Sequence, residues 1–252
     1  MANTQKPPQE GLIAEWVPVR GHNGDTIYAY SARPMGEGPY PGVLVVMEIF
    51  GLVEHIKEQT RRIAAHGYVA VAPDLYYREG PGAPEDVGAK VRAAGGISDE
   101  QFIGDAQATI NHIRALPQSN GKVGSIGWCS GGRHSFVAAC NTDIDAAVIC
   151  YSGRVVATPD QLTPKQPKSP HEMTPNLKAP VLGLFGEEDQ NPTPAQVAQL
   201  EEMLKKNKKQ YEFHMYKNAG HGFFADYRPS YRVEAVNDAW QKVWAFYQKH
   251  LR

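Results

Sequence analysis

Gly127-Trp128-Cys129-Ser130-Gly131 sets a thiol between glycines two residues to either side, where an apolar, strand-like run gives way to a helical one. A nucleophile on such a sharp strand-to-helix turn sits in a strained backbone conformation, and glycines two before and two after relieve the crowding. The start of a helix favours the thiolate, which is the reactive species, and the next backbone N–H, that of Ser130, is placed to stabilise an oxyanion. The same pattern also suits a buried cysteine in a tight strand-helix turn. Ser130 is the rival nucleophile, but one residue past the apex its side chain turns with the helix and reads as a cap. Cys140 and Cys150 fall at the end of a helical and of a strand segment and read as small buried hydrophobes.

Acyl transfer by such a group needs a base and an acid that orients it. In α/β-hydrolases these follow the nucleophile in the order acid, then histidine, each on a loop after a later strand. Gly186-Glu187-Glu188-Asp189-Gln190-Asn191-Pro192 is a turn-rich loop of this kind and offers Asp189, with Glu187 and Glu188 expected to face solvent. Lys217-Asn218-Ala219-Gly220-His221-Gly222-Phe223 offers His221 between glycines that let the backbone approach other loops. Of nine histidines this one alone lies in such a loop after the elbow; His134, His214 and His250 lie on predicted elements and His171 in a proline-rich stretch. Taken singly, Asp189 is an ordinary solvated acid and His221 an ordinary loop histidine. Their order and placement are what single them out.

A sheet and its flanking helices must bring these groups together. Residues 14–19 and 26–31 alternate as strands do across the turn His22-Asn23-Gly24-Asp25, which predicts an N-terminal antiparallel hairpin. The continuous apolar run 42–47 suits a parallel strand buried on both faces. Helical spacing over 55–66 closes at Gly67 before a second buried strand, 68–72, that stops at Pro73. The rhythm continues with helix 99–116, strand 123–128, helix 131–140, strands 146–151 and 181–185, helix 194–206, strand 212–216 and a closing helix over 231–250. This predicts an α/β-hydrolase fold, a mostly parallel central sheet with helices on both faces. Residues 78–96, rich in Gly, Pro and Ala, and 154–180, with six prolines, break the rhythm. Such excursions serve as lids or walls of a site, as oligomer contacts or as plain solvent-facing chain.

The 252 residues suit one domain, with residues 1–10 a polar, flexible N-terminal extension. A net charge of -1 provides no broad field for nucleic acid or an anionic membrane, so a small-molecule partner is the expectation. Three cysteines cannot all pair within the chain, and no secretory pattern opens it, which points to the reducing cytoplasm unless an export signal has been trimmed. No apolar run approaches a bilayer's thickness. No histidine or cysteine pair has ligand spacing on one helix face, so neither a metal nor another cofactor is expected. A monomer or a homodimer fits equally.

Over nearly its whole length the chain resembles the dienelactone hydrolase, or carboxymethylenebutenolidase, family. Four segments carry the likeness: Glu48-Ile49-Phe50-Gly51, Ala72-Pro73-Asp74-Leu75-Tyr76, the Gly127-Trp128-Cys129-Ser130-Gly131 elbow, and Gly220-His221-Gly222-Phe223. Most α/β-hydrolases carry serine at the elbow and lack a glutamate beside the oxyanion loop. The resemblance implies that Glu48 holds the thiol neutral at rest and takes its proton when substrate arrives. It implies that Ile49 supplies the second oxyanion N–H, and that Arg78 meets a substrate carboxylate through its guanidinium fork. The second carboxylate-binding arginine of the family is Ala225 here, with Arg228 nearby but out of register. Trp128, Tyr76, Tyr77, Tyr151 and Phe223 line an apolar pocket or belong to the core.

The expectation is a hydrolase of a small ester or lactone acting through Cys129, His221 and Asp189. An acyltransferase or thioesterase would use the same triad, and a hydrolase-fold protein that binds without turnover is the non-enzymatic alternative.

Overall fold

In a computed structural model that describes residues 11–252, apolar runs without alternation become strands buried on both faces. Two strands form the N-terminal antiparallel hairpin, β1 (Leu12–Arg20) and β2 (Thr26–Pro34), with β2 also antiparallel to β4 (Val69–Pro73). The remaining strands are β3 (Tyr40–Val46), β5 (Ser119–Trp128), β6 (Ala146–Cys150), β7 (Val181–Gly186) and β8 (Tyr211–Tyr216), and all eight make one sheet in the order β1-β2-β4-β3-β5-β6-β7-β8. From β4 to β8 every pairing is parallel. Val43 to Val46 and the whole of β6 are inaccessible to solvent, whereas β1 and β8 keep exposed positions as edge strands do.

Among the described residues six α-helices accompany the sheet: α1 (Glu54–Ala65), α2 (Pro84–Ala93), α3 (Asp99–Ala115), α4 (Ser130–Asn141), α5 (Pro194–Lys206) and α6 (Val233–Leu251). The amphipathic helices turn one stripe inward: α1 buries Ile56, Ile63 and Ala64, and α6 buries Trp240, Val243 and Tyr247. By contrast α4, at the middle of the sheet, is buried almost from end to end.

The hairpin and the α/β alternation follow the sequence expectation; most boundaries differ by a residue or two, but β5 starts four residues before the expected 123 and β2 runs three past the expected 31. The excursion over 78–96 is a correction, because it contains α2. That helix starts on a proline in its first turn, has Glu85 and Asp86 near its N-terminus, and carries Lys90 and Arg92 near its C-terminus. These suit the helix dipole, but Val87 and Val91 are its only large apolar residues, too few to reveal a period. The 154–180 excursion holds two short 3-10 turns, Pro159–Gln161 and Pro170–Asn176. The proposed extension at residues 1–10 lies outside the described residues. Among those described, no helix is long and apolar enough to cross a membrane.

Candidate active site

Cys129 stands between the end of β5 and the start of α4 with φ 55° and ψ −122°, a conformation that costs any non-glycine residue and persists only when its surroundings impose it. Backbone contact is what imposes it. A Cβ on Gly127 would lie 2.1 Å from the carbonyl oxygen of Gly131, and one on Gly131 would lie 2.4 Å from that of Val46. The elbow therefore folds on itself and presses against the end of β3, where the chain enters Glu48-Ile49. Cys129 is part-exposed, unlike the buried Cys140 and Cys150, whose thiols burial pushes well up.

Asp189 and His221 arrive on the loops after β7 and β8, which are stitched together by backbone. Glu187 N–H donates to Tyr216 O at 3.0 Å and Glu188 N–H to Ala219 O at 2.9 Å. The close approach depends on Gly186, whose Cβ would fall 2.2 Å from Ala219 O. Glu187 and Glu188 face solvent, as expected, while Asp189 is 1% exposed. Its carboxylate accepts from His221 Nδ1 at 3.0 Å through Oδ2, and from the Asn191 N–H at 2.8 Å through Oδ1. The edge of the Tyr151 ring packs on the imidazole, centroids 5.1 Å apart. Burial opposes protonation of His221, but the Asp189 carboxylate and the nearby Cys129 sulfur outweigh it and push the imidazole up to about 10.

Glu48 is 1% exposed, and neither carboxyl oxygen has a hydrogen-bond partner among the described residues. Burial pushes its pKa up, against the pull of Arg228, of His221 and of the Tyr151 hydroxyl. The Tyr151 hydroxyl stands nearby, likewise unpartnered. Ile49 and Ser130 both line the cleft above Cys129, and among the described residues neither N–H donates to a protein acceptor. Ser130 is not the expected cap: it is the first helical residue, Cys129 holds the N-cap position, and no side chain caps the helix.

The cleft, about 270 Å³, is floored by Cys129 and Ser130 and walled by Tyr76, α2 and the 154–166 stretch, so both irregular excursions contribute to it. Four larger hollows, of about 350 to 660 Å³, lie elsewhere on the surface of the described residues and do not include Cys129. Tyr76 lines the cleft as expected, and its hydroxyl donates to Ile49 O at 2.9 Å.

Three residues expected at the substrate are corrected. The Arg78 guanidinium is occupied on both edges, by Asp25 at 2.7 Å and by Asp105 at 2.7 and 2.8 Å, and it is not part of the cleft wall. Trp128 alternates away from Cys129 into the core, against Phe224 and Trp240. Phe223 is fully buried behind the site, between Tyr151 and Tyr216. Ala225 is also fully buried, and Arg228 stacks on Phe50 at 4.8 Å. The basic residues that do line the cleft are Arg92, Arg133 and Arg154, joined by His134. None was singled out from the sequence, since they come from three separated elements and share no motif.

Comparison with known proteins agrees with this architecture. The model of the dienelactone hydrolase family matches residues 27–251. A Methylorubrum extorquens protein named "Putative carboxymethylenebutenolidase" is 36% identical over 245 residues, 95% of this chain and 82% of its own length. An Escherichia coli K12 protein of the same name is 34% identical over 249 residues, 96% of this chain and 89% of its own. The crystal structure of a "Putative Dienelactone Hydrolase" from Klebsiella pneumoniae superposes with a TM-score of 0.83 at 31% identity, covering 95% of this chain and 100% of that one. The chain belongs to the dienelactone hydrolase family.

Proposed function

We propose that this hydrolase cleaves a small ester or lactone through a Cys129 thioester intermediate. The observation that carries the reading is the pairing of a part-exposed sulfur at a positive-φ apex with an imidazole that a buried carboxylate holds from behind at 3.0 Å. The Cys129 thiolate attacks the carbonyl carbon, and the oxyanion is received by the unpaired N–H groups of Ile49 and Ser130. Collapse breaks the acyl C–O bond, the leaving oxygen takes the proton from His221, and the acyl group stays on sulfur. Acylation also removes the sulfur's charge, one of the causes that keep the imidazole protonated, so His221 is free to accept a proton from the attacking water. The thiolate then leaves and the acid is released.

Glu48 fits the role of proton partner. A carboxylate close to a thiolate opposes it when ionised and does not when protonated, so in this reading the two share one proton whose place depends on what fills the cleft. Its burial without partners supports that role.

A panel of lactones, aryl esters and thioesters, with water, alcohol and thiol acceptors, tests the reading. Hydrolysis of at least one oxygen ester, lost in a folded Cys129→Ala variant, is the expected result. Full activity of that variant would end the proposal, and a product made only with an alcohol or thiol acceptor would turn it into an acyltransferase.

A further inference from the structure

In the proposed mechanism Ile49 supplies an oxyanion N–H from the corner of a tight turn. Gly51 N–H donates to Glu48 O at 3.1 Å, which closes Glu48-Ile49-Phe50-Gly51 with Ile49 and Phe50 at the corners. A trans peptide sets its N–H and C=O on opposite sides, so a Glu48 carbonyl turned inward to Gly51 leaves the Ile49 N–H pointing out of the turn. The middle peptide, Ile49 C=O with Phe50 N–H, takes no part in that bond. It is the unit whose flip interconverts turn types, and the flip is made by rotation at Ile49 itself.

One side chain fixes that peptide. The Tyr76 hydroxyl donates to Ile49 O at 2.9 Å, while Arg92 Nη1 reaches the same oxygen only at 3.5 Å. Tyr76 is buried, and burial pushes its hydroxyl up to about 12, so it stays a donor at neutral pH. Its own backbone is pinned: Tyr76 N–H donates to Asp74 Oδ1 at 3.0 Å, and Asp74 N–H to Tyr28 O at 2.9 Å. Because β3 and β4 are neighbours and parallel, the turn after β3 and the Tyr76 segment after β4 leave the sheet side by side. Packing closes the remaining sides. A Cβ on Gly88 of α2 would lie 2.6 Å from Ile49 O and 3.4 Å from the Tyr76 ring, and one on Gly51, whose φ is +88°, would lie 3.2 Å from that ring and from Pro84. A cleft wall needs only the ring of Tyr76; the hydroxyl serves Ile49.

We propose that Tyr76 is a positioning residue for the oxyanion site: its hydroxyl locks the middle peptide of the Glu48-Ile49-Phe50-Gly51 turn, so that the Ile49 N–H stays aimed at the carbonyl attacked by Cys129. Helix α2 supplies the seat, since glycine at 88 lets it close over the locked carbonyl. Tyr76 acts through Ile49, and its effect belongs to the transition state, where the oxyanion exists and a displaced donor is felt. A misaimed donor is a smaller defect than a missing one, so the expected loss is about 10- to 100-fold. The inference rests on the reading of Ile49 as oxyanion donor to a carbonyl attacked by the Cys129 sulfur.

The test uses the full chain and hydrolysis of a neutral aryl acetate. Tyr76→Phe keeps the ring and removes the donor, and kcat is expected to fall about 10- to 100-fold with KM unchanged, the signature of an interaction made in the transition state. Gly88→Ala presses a methyl group on the same carbonyl from α2 without altering the cleft lining, and it should give the same split. Combining the two should lose less than the product of the separate losses, because both act on one peptide. Added to an acetylated His221→Asn chain, Tyr76→Phe should move the thioester C=O stretch of an isotope-labelled acetyl group to higher frequency, the sign of weaker hydrogen bonding to that oxygen. An undiminished kcat in Tyr76→Phe, a loss carried by KM alone, or an unmoved C=O stretch overturns the role given to Tyr76. Failure of the underlying reading looks different: hydrolysis persists in Cys129→Ala, and no acetyl group forms on Cys129.

Discussion

Replacing Glu48 with methionine should make the protein more stable and nearly inactive. Glu48→Met keeps an unbranched side chain of similar length and removes a carboxyl that is 1% exposed and has no hydrogen-bond partner among the described residues. An unsatisfied buried polar group costs about 1–3 kcal/mol, so the variant should gain about that much. For a chain of this size that is a rise in Tm of roughly 2–12 °C. The gain should depend on pH in a definite direction. Burial raises the Glu48 pKa in the folded protein above its ordinary value near 4.5, so below that pH both states hold the proton and ionisation makes no difference. As pH rises from there the unfolded chain ionises first, and the native protein loses stability until the folded pKa is passed. The gap between variant and parent should therefore be smallest near pH 4.5 and widen toward neutrality. Urea unfolding of both proteins across that range measures it, and ester hydrolysis should fall by roughly 100-fold or more, the scale of a lost positioned proton carrier. A variant less stable than its parent at neutral pH, or a gap that does not change with pH, refutes the reasoning that this carboxyl is kept for chemistry at a cost in stability.

Asp189→Asn removes the largest of the groups that hold the His221 proton, so an NMR titration of that ring should show its pKa falling from about 10 toward the ordinary histidine value. The raised value stabilises the fold fully below about pH 6.5 and fades as pH climbs through about 10; the variant should lack this slope, and kcat should fall by roughly 100- to 10,000-fold. Gly127→Ala places a methyl group 2.1 Å from the Gly131 carbonyl oxygen, backbone that cannot swing aside, so urea unfolding should show a loss of about 3 kcal/mol or more together with lost activity.

The parts of the fold that were legible in the sequence were those with a local physical signature. Helix α5 spans the predicted residues because Thr193 and Gln196 form a capping box and Pro194 opens the first turn. Strands β3, β4, β6 and β7 announce themselves as unbroken apolar runs because both their faces are covered. Helix α2 was invisible because only one of its large apolar side chains, Val91, is buried. In the site, Cys129, Asp189 and His221 could be picked out from the elbow pattern, chain order and loop placement, since each follows the C-terminal end of a parallel strand in one sheet. Side-chain destinations could not. Arg78 is claimed by Asp25 and Asp105, which lie 53 and 27 residues away in the chain. Trp128 is next to the nucleophile in sequence, yet it faces the opposite way. Arg154, His134 and Gln166 meet only after the 154–166 stretch folds over α4, and no spacing between them reports that meeting.

The central claim is that the acyl group rides on the Cys129 sulfur. His221→Asn should slow deacylation enough to trap it, so brief reaction of that variant with an aryl acetate, followed by peptide mass spectrometry, is the direct measurement. One acetyl group on the peptide that contains Cys129, released by hydroxylamine and absent from Cys129→Ala, is the predicted result. An acetyl group on Ser130, or steady hydrolysis in which no enzyme-bound acetyl ever forms, would contradict it.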